Sequence, residues 1–204
     1  MSAALYINAS CVISNQVLYK DGEPVFQSSD LELPDFLLAA YQYFDISYPK
    51  FYKMDNLSKG GFLAAELMLK GFEPDKYAPA DRGIILANAN ASLDTDLKYY
   101  DTVQAIASPA LFVYTLPNIV IGEISIRNNF KGENAFFVFN RFDATFMHQY
   151  VTNLFDNDLL QVCICGWTEV LDNQYKTVLL LIEKEKAGQA GLFTIENFNK
   201  IYQL

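Results

Sequence analysis

Three cysteines, one histidine and a scatter of carboxylates are the side chains of this sequence that could carry nucleophilic, redox or metal chemistry. Cys163 and Cys165 stand two apart in Leu159-Leu160-Gln161-Val162-Cys163-Ile164-Cys165-Gly166, an apolar run that reads as a strand, so both thiols point to one face. Two thiols and His148 cannot complete a four-ligand metal site, so packing is the expected role and no metal is assigned. An odd, small cysteine count that includes Cys11 fits a reducing compartment better than a disulfide framework. His148 falls within an amphipathic segment and reads as a partly exposed helical residue. Asp94, Asp96 and Asp101 could be drawn as a cation cluster, but they open a short helix, where the dipole favours acids, and read as capping, solvated residues. The sequence has no Gly-x-Ser-x-Gly nucleophile elbow, phosphate loop or Gly-x-Gly-x-x-Gly, and no cofactor is expected.

The elements that would position such groups must come from a chain with much to bury. Hydrophobic residues are 51% of the sequence and charged ones 19%, which excludes a disordered segment and predicts a single domain over residues 1–204. Fifteen Lys plus Arg against 24 Asp plus Glu give a net charge of −9, which repels phosphate backbones and anionic lipid, so neither nucleic acid nor a membrane is an expected partner. The start lacks the basic and apolar regions of a signal peptide, and a cytoplasmic location is expected.

Hydrophobic patterning predicts strands over residues 5–13, 83–87, 135–139, 159–166 and 177–182, with a hairpin at 17–26 around Asp21-Gly22. Helices are predicted over residues 57–68 behind an Asp55 or Asn56 cap, 94–103, and 119–127 behind Pro117-Asn118. A further helix follows Asp143, with Ala144, Met147, Val151, Leu154 and Phe155 on one face. Gly60-Gly61 inside the first of these helices predicts close approach of another backbone, and Glu183-Lys184-Glu185-Lys186 reads as a solvated turn. Buried strands alternating with helices imply an α/β fold, one mixed sheet of about five strands flanked by helices.

Several words, taken in order, resemble the N-terminal half of 3-oxoacyl-acyl-carrier-protein synthases, the ketosynthases of the thiolase-like family. They are Lys53-Met54-Asp55 ahead of a helix, Gly83-Ile84-Ile85-Leu86 before a polar loop, Leu116-Pro117-Asn118 followed by Gly122, and Gly132-Glu133-Asn134. The resemblance runs over about residues 4–186 and implies a layered thiolase-like half-fold. It also places the family's nucleophilic cysteine, nine positions past the glycine matching Gly132, at Arg141. A guanidinium cannot lose its proton or form an acyl thioester, and residues 132–144 contain no Cys, Ser or Thr, Thr145 being the first hydroxyl and expected deep in the helix. The histidine pair that the family uses in decarboxylation has no counterpart, since His148 is the only histidine.

The resemblance therefore implies a non-catalytic, chain-length-factor-like ketosynthase subunit of fatty acid, polyketide or aryl-polyene assembly. The alternatives are a protein that binds an acyl chain or acyl carrier protein, and an enzyme of unrecognised chemistry. Carrier-protein docking beside the Lys-Met-Asp word would fall on Lys53 and Lys50, with Lys59 nearby. The family's dimer strand would be Ala135, Phe136, Phe137, Val138 and Phe139, joining two copies or this chain and an active ketosynthase. The apolar face of the following helix is expected to remain partly bare without such a partner.

Overall fold

The computed structural model describes residues 4–204, and its frame is one sheet. The strands are β1 (Tyr6–Ser14), β2 (Val17–Lys20), β3 (Glu23–Gln27), β4 (Arg82–Asn88), β5 (Asn134–Val138), β6 (Val162–Leu171), β7 (Gln174–Glu183) and the two-residue β8 (Gly191–Leu192). They are ordered β3-β2-β1-β7-β6-β4-β5, with β8 beside β1. Only β4 pairs in parallel, with β5 on one side and β6 on the other. The sheet thus has eight strands rather than about five, because the 17–27 hairpin folds back antiparallel onto Cys11–Ser14 and extends it.

The helices are α1 (Leu33–Tyr43), α2 (Asn56–Met68), α3 (Leu93–Val103), α4 (Pro109–Val113), α5 (Ile119–Asn128), α6 (Ala144–Asp156) and α7 (Ile195–Tyr202). Alternate residues of the central strands divide between two cores. Ile84, Ile164, Leu179 and Leu181 join α1, α2 and α5 on one face, while Ile85, Cys163, Cys165, Trp167 and Leu180 join α6 and α7 on the other. A strand buried on both faces can be apolar without alternation, as β4 is over residues 83–87 between its buried ends Arg82 and Asn88.

Helix α2 starts where the Asp55 side chain accepts from the Ser58 N–H (2.9 Å) and the Thr95 hydroxyl (2.7 Å). Burial pushes the Asp55 carboxyl up, opposed by those bonds. Asp55→Ala removes the cap and leaves Thr95 without its acceptor, and should lower stability by about 1–2 kcal/mol in urea titration. Asp55→Asn, which still accepts from Ser58, should recover most of that loss. The close approach at Gly60-Gly61 is made by side chains rather than by backbone. A Cβ on Gly61 would lie 2.3 Å from Cγ2 of Val120 in α5, and one on Gly60 3.0 Å from Oγ1 of Thr177 in β7.

Two expectations fail at the other end of the sheet. Residues 135–139 do not form a buried strand: β5 stands at the sheet edge, paired on one side only and partly exposed. The apolar face of α6 is not bare either. Asp143 caps the helix by accepting from the Phe146 N–H (2.9 Å), and Ala144, Met147, Val151, Leu154 and Phe155 are all buried within the single chain. Residues beyond β7 help to close that core through Phe193 and Phe198. Glu183 is also no part of a solvated turn. It is buried and accepts from the Tyr77 hydroxyl at 2.6 Å, and burial followed by that bond pushes the Tyr77 phenol up to about 12.

Candidate functional site

The turn between β5 and α6 is where the sequence resemblance puts a nucleophile, and its side chains define what this protein can do there. Arg141 is exposed, two residues before the Asp143 cap. Thr145 is the second residue of α6, so it sits in the exposed first turn rather than deep in the helix. Between them Phe142 turns inward. It stacks on Tyr202 (centroids 3.9 Å apart) and meets Phe198 and Trp167 edge-on at 5.0 and 5.8 Å. The space beneath this turn is therefore filled by aromatic rings, two of them from α7.

Buried thiols elsewhere offer no substitute. Cys11, Cys163 and Cys165 are free and fully buried, and burial pushes each thiol up, away from the thiolate that nucleophilic attack requires. Cys163 and Cys165 share one face, as the strand period predicts, and act as core residues. His148 is half-buried, with Nε2 3.1 Å from the Phe193 carbonyl oxygen, and ties α6 to the C-terminal segment. Among the described residues no group of three or more His, Cys, Asp or Glu could hold a metal ion.

The aspartates of α3 separate in role. Asp94 is buried, accepting from Lys98 (2.6 Å) and from the Asp172 N–H (3.1 Å), which ties the helix to the β6–β7 turn. Asp101 is exposed, and the N-cap position belongs to Ser92, so Asp94 is neither a cap nor a solvated surface acid. A carboxylate that the strand pattern conceals is Glu169 in β6. One oxygen accepts from the backbone N–H groups of Ala89 (2.6 Å) and Asn90 (3.2 Å), holding the loop after β4, while the other is buried without a hydrogen-bond partner. Its sequence signal is an acid within an otherwise apolar strand.

Lys50 and Lys53 both stand exposed on a 3-10 turn, Pro49–Lys53, just before α2. They differ in freedom. Lys50 lies 3.9 Å from the Glu123 carboxylate, which is itself buried and accepts from the hydroxyls of Tyr48 (3.2 Å) and Tyr114 (3.4 Å). Burial and the neighbouring Glu123 charge push the Tyr114 phenol up. Lys59 is half-buried over the Phe51 ring, and burial pulls its ammonium down.

The most exposed apolar surface is formed by α3, α4 and the segments around them, including Leu97, Tyr100, Ile106, Phe112 and Leu116, with Ile106 87% exposed. Residues 102–122 carry no charge at all. Helix α3 starts a few residues after Asn88, the last residue of β4, whose carbonyl accepts from the Phe139 N–H. On the far side of the sheet, an open groove of about 750 Å³ lies between β1, the Asp21-Gly22 turn and α7 and includes no residue of the 139–143 turn.

No protein-family profile and no curated protein matches the chain. Solved structures do. A chain of the complex between a type II polyketide synthase acyl-carrier protein and its ketosynthase, AntDE:AntF, superposes with a TM-score of 0.62 at 15% identity, covering 90% of this chain and 63% of that one. A chain of the ishigamide ketosynthase/chain length factor gives 0.62 at 12%, covering 91% and 63%. The protein has the ketosynthase fold. A chain of the ketosynthase ApeO with its chain length factor ApeC, from Xenorhabdus doucetiae, gives 0.59 at 12%, covering 90% and 80%. The chain spans less than two thirds of the length of the first two structures. No helix among the described residues is long and apolar enough to cross a membrane.

Proposed function

We propose that this protein is a non-catalytic, chain-length-factor-like ketosynthase subunit that works by joining edge to edge with an active ketosynthase in fatty acid, polyketide or aryl-polyene assembly. The observation that carries the reading is the conjunction, in one ketosynthase fold, of an aromatic-filled turn bearing Arg141 and an unpaired β5 edge. Similar structures include complexes of a ketosynthase with a chain length factor or an acyl-carrier protein, which supports the choice of partners. An acyl-transfer step needs a nucleophile and donors for the developing oxyanion, and the turn offers no thiol.

Catalytic silence is tested by incubating the purified chain with acyl-carrier protein or acyl-CoA and recording its intact mass. The expected spectrum has no acyl adduct, and a stoichiometric adduct on any residue would contradict the reading. Carrier-protein docking at Lys53 and Lys50 belongs to the same proposal. With Lys50 partly engaged by Glu123, Lys53 carries most of the free positive charge there. The Lys50→Glu and Lys53→Glu double substitution should weaken binding of an acidic carrier protein about tenfold at low salt in titration calorimetry. Unchanged affinity would place docking elsewhere.

A further inference from the structure

We propose that the outward face of α3 binds an amphipathic helix of a partner protein, one that carries lysine or arginine on both flanks of a leucine-like stripe. The inference goes beyond the ketosynthase contact at β5 and stands without it.

Helix α3 is mounted with its polar side inward. Its buried residues are Asp94 and Thr95, and polar contacts hold both. Asp94 accepts from the Asp172 N–H (3.1 Å) and from Lys98 (2.6 Å), and the Thr95 hydroxyl donates to Asp55 (2.7 Å). The apolar residues turn the other way, with Leu93, Leu97 and Tyr100 being 40, 55 and 63% exposed. Helices α2 and α6 bury their apolar residues within the same chain. A helix that presents its apolar stripe to solvent lacks the element that the stripe packs against.

The order of residues along α3 says what that element is. Leu93, Leu97 and Tyr100 stand four and three residues apart, the spacing of the seam between paired helices. Asp96 immediately precedes Leu97 and Asp101 immediately follows Tyr100, which puts a carboxylate at each of the flanking positions whose charges select a helical partner. Asp96 lies 3.3 Å from the Ser92 hydroxyl and Asp101 is exposed. Among the described residues neither has a cation in ion-pair range, since Lys98, the single cation of the helix, is engaged by Asp94.

Helix α4 widens the face without adding charge. The Phe112 ring lies 5.5 Å from that of Tyr99, the Ser108 N–H donates to the Thr102 hydroxyl (3.0 Å), and the Ser92 hydroxyl donates to the Thr115 carbonyl (2.8 Å), so α4 runs back along α3. Phe112 and Leu116 are exposed there, and residues 102–122 are uncharged.

The flanking carboxylates decide between occupants. A second copy meeting this face with its own α3 would set aspartates against aspartates, and an anionic membrane would meet the same repulsion. A stripe flanked by Lys or Arg places opposite charges along both sides while its apolar residues cover Leu97 and Tyr100. The net charge of −9 also speeds the approach of a cationic helix.

The probes are two synthetic helical peptides with leucine at the seam positions, one with lysine and one with glutamate at the flanks, titrated by NMR into the isotopically labelled full chain. The lysine peptide should bind with shift changes confined to residues 92–116, and the glutamate peptide at least about tenfold more weakly. Leu97→Ser should weaken the lysine peptide about tenfold, with unchanged circular dichroism because the side chain is exposed. Asp101→Lys should reduce the preference for lysine, and Asp96→Lys/Asp101→Lys should reverse it although the chain as a whole stays acidic. Equal binding of the lysine peptide by wild type and double variant would reveal general attraction to an acidic protein and overturn the inference, as would shift changes elsewhere or none at all. Self-association of the wild type, or its adsorption to phosphatidylcholine vesicles, that Leu97→Ser abolishes would give the face a different occupant and also overturn it. A bound ketosynthase that shuts out the lysine peptide would assign the face to that contact, overturning the inference while leaving the proposed function standing.

Discussion

Replacing Phe198 by alanine should lower the unfolding free energy by about 3–5 kcal/mol, enough to remove much of the stability of an ordinary domain. Phe198 is fully buried, 5.0 Å from the Phe142 ring and 5.9 Å from Phe193, and it plugs the core between α6 and the sheet. Truncation leaves a cavity beside the Phe142 and Phe193 rings, in a close-packed core where little collapse can fill it. Urea titration with an unchanged m-value is the measurement. A loss under about 1 kcal/mol would mean that α7 is only loosely applied and that the α6 face is covered in some other way.

Val138→Pro should abolish edge-to-edge assembly, weakening it by about a hundredfold or more, while leaving the isolated fold nearly as stable as before. The Val138 N–H points away from β4, so proline removes no bond within the chain, and proline is tolerated on edge strands for that reason. Its ring takes a donor from the open edge and obstructs an approaching strand. Co-purification with a ketosynthase and sedimentation of the chain alone both read this change. Persistent assembly by the proline variant would move the contact away from β5, onto another surface such as α3 and α4.

Local pattern carried much of the architecture. The α6 period, its Asp143 cap and all five buried positions follow from residues 143–155 alone, as does the uniformly buried β4 from its apolar run. The same pattern misjudged β5, because a continuous apolar run looks alike whether both faces are covered by its own chain or one edge awaits another. Helix α1 is missing from the sequence reading although Pro34 suits a first turn and its buried Leu33, Phe36, Leu37, Ala40 and Tyr41 follow helical spacing; the adjoining apolar Leu38 and Ala39 blur that period. Long-range pairings were equally hidden. Nothing within residues 49–53 announces that Lys50 meets Glu123, or within β6 that Glu169 grips the loop after β4. Cover of the α6 face by Phe193 and Phe198 was missed because these residues lie in a short, mostly polar stretch whose apolar side acquires meaning only against the finished core.

That the turn carries no thiol was readable from the sequence, because it depends on residue types rather than on geometry. Arg141 and its neighbours offer no thiol in any arrangement. The structure adds that Phe142, Trp167, Phe198 and Tyr202 fill the space below, so an Arg141→Cys substitution alone would supply a sulfur without a substrate cavity.

Native mass spectrometry of the chain co-expressed with the ketosynthase encoded nearest to it, after exposure to acyl-loaded carrier protein, tests the central claim most directly. The account predicts a one-to-one complex in which the acyl mass rides on the ketosynthase and this chain keeps its unmodified mass. Acylation of this chain, or two proteins that fly as separate species at micromolar concentration, would contradict it.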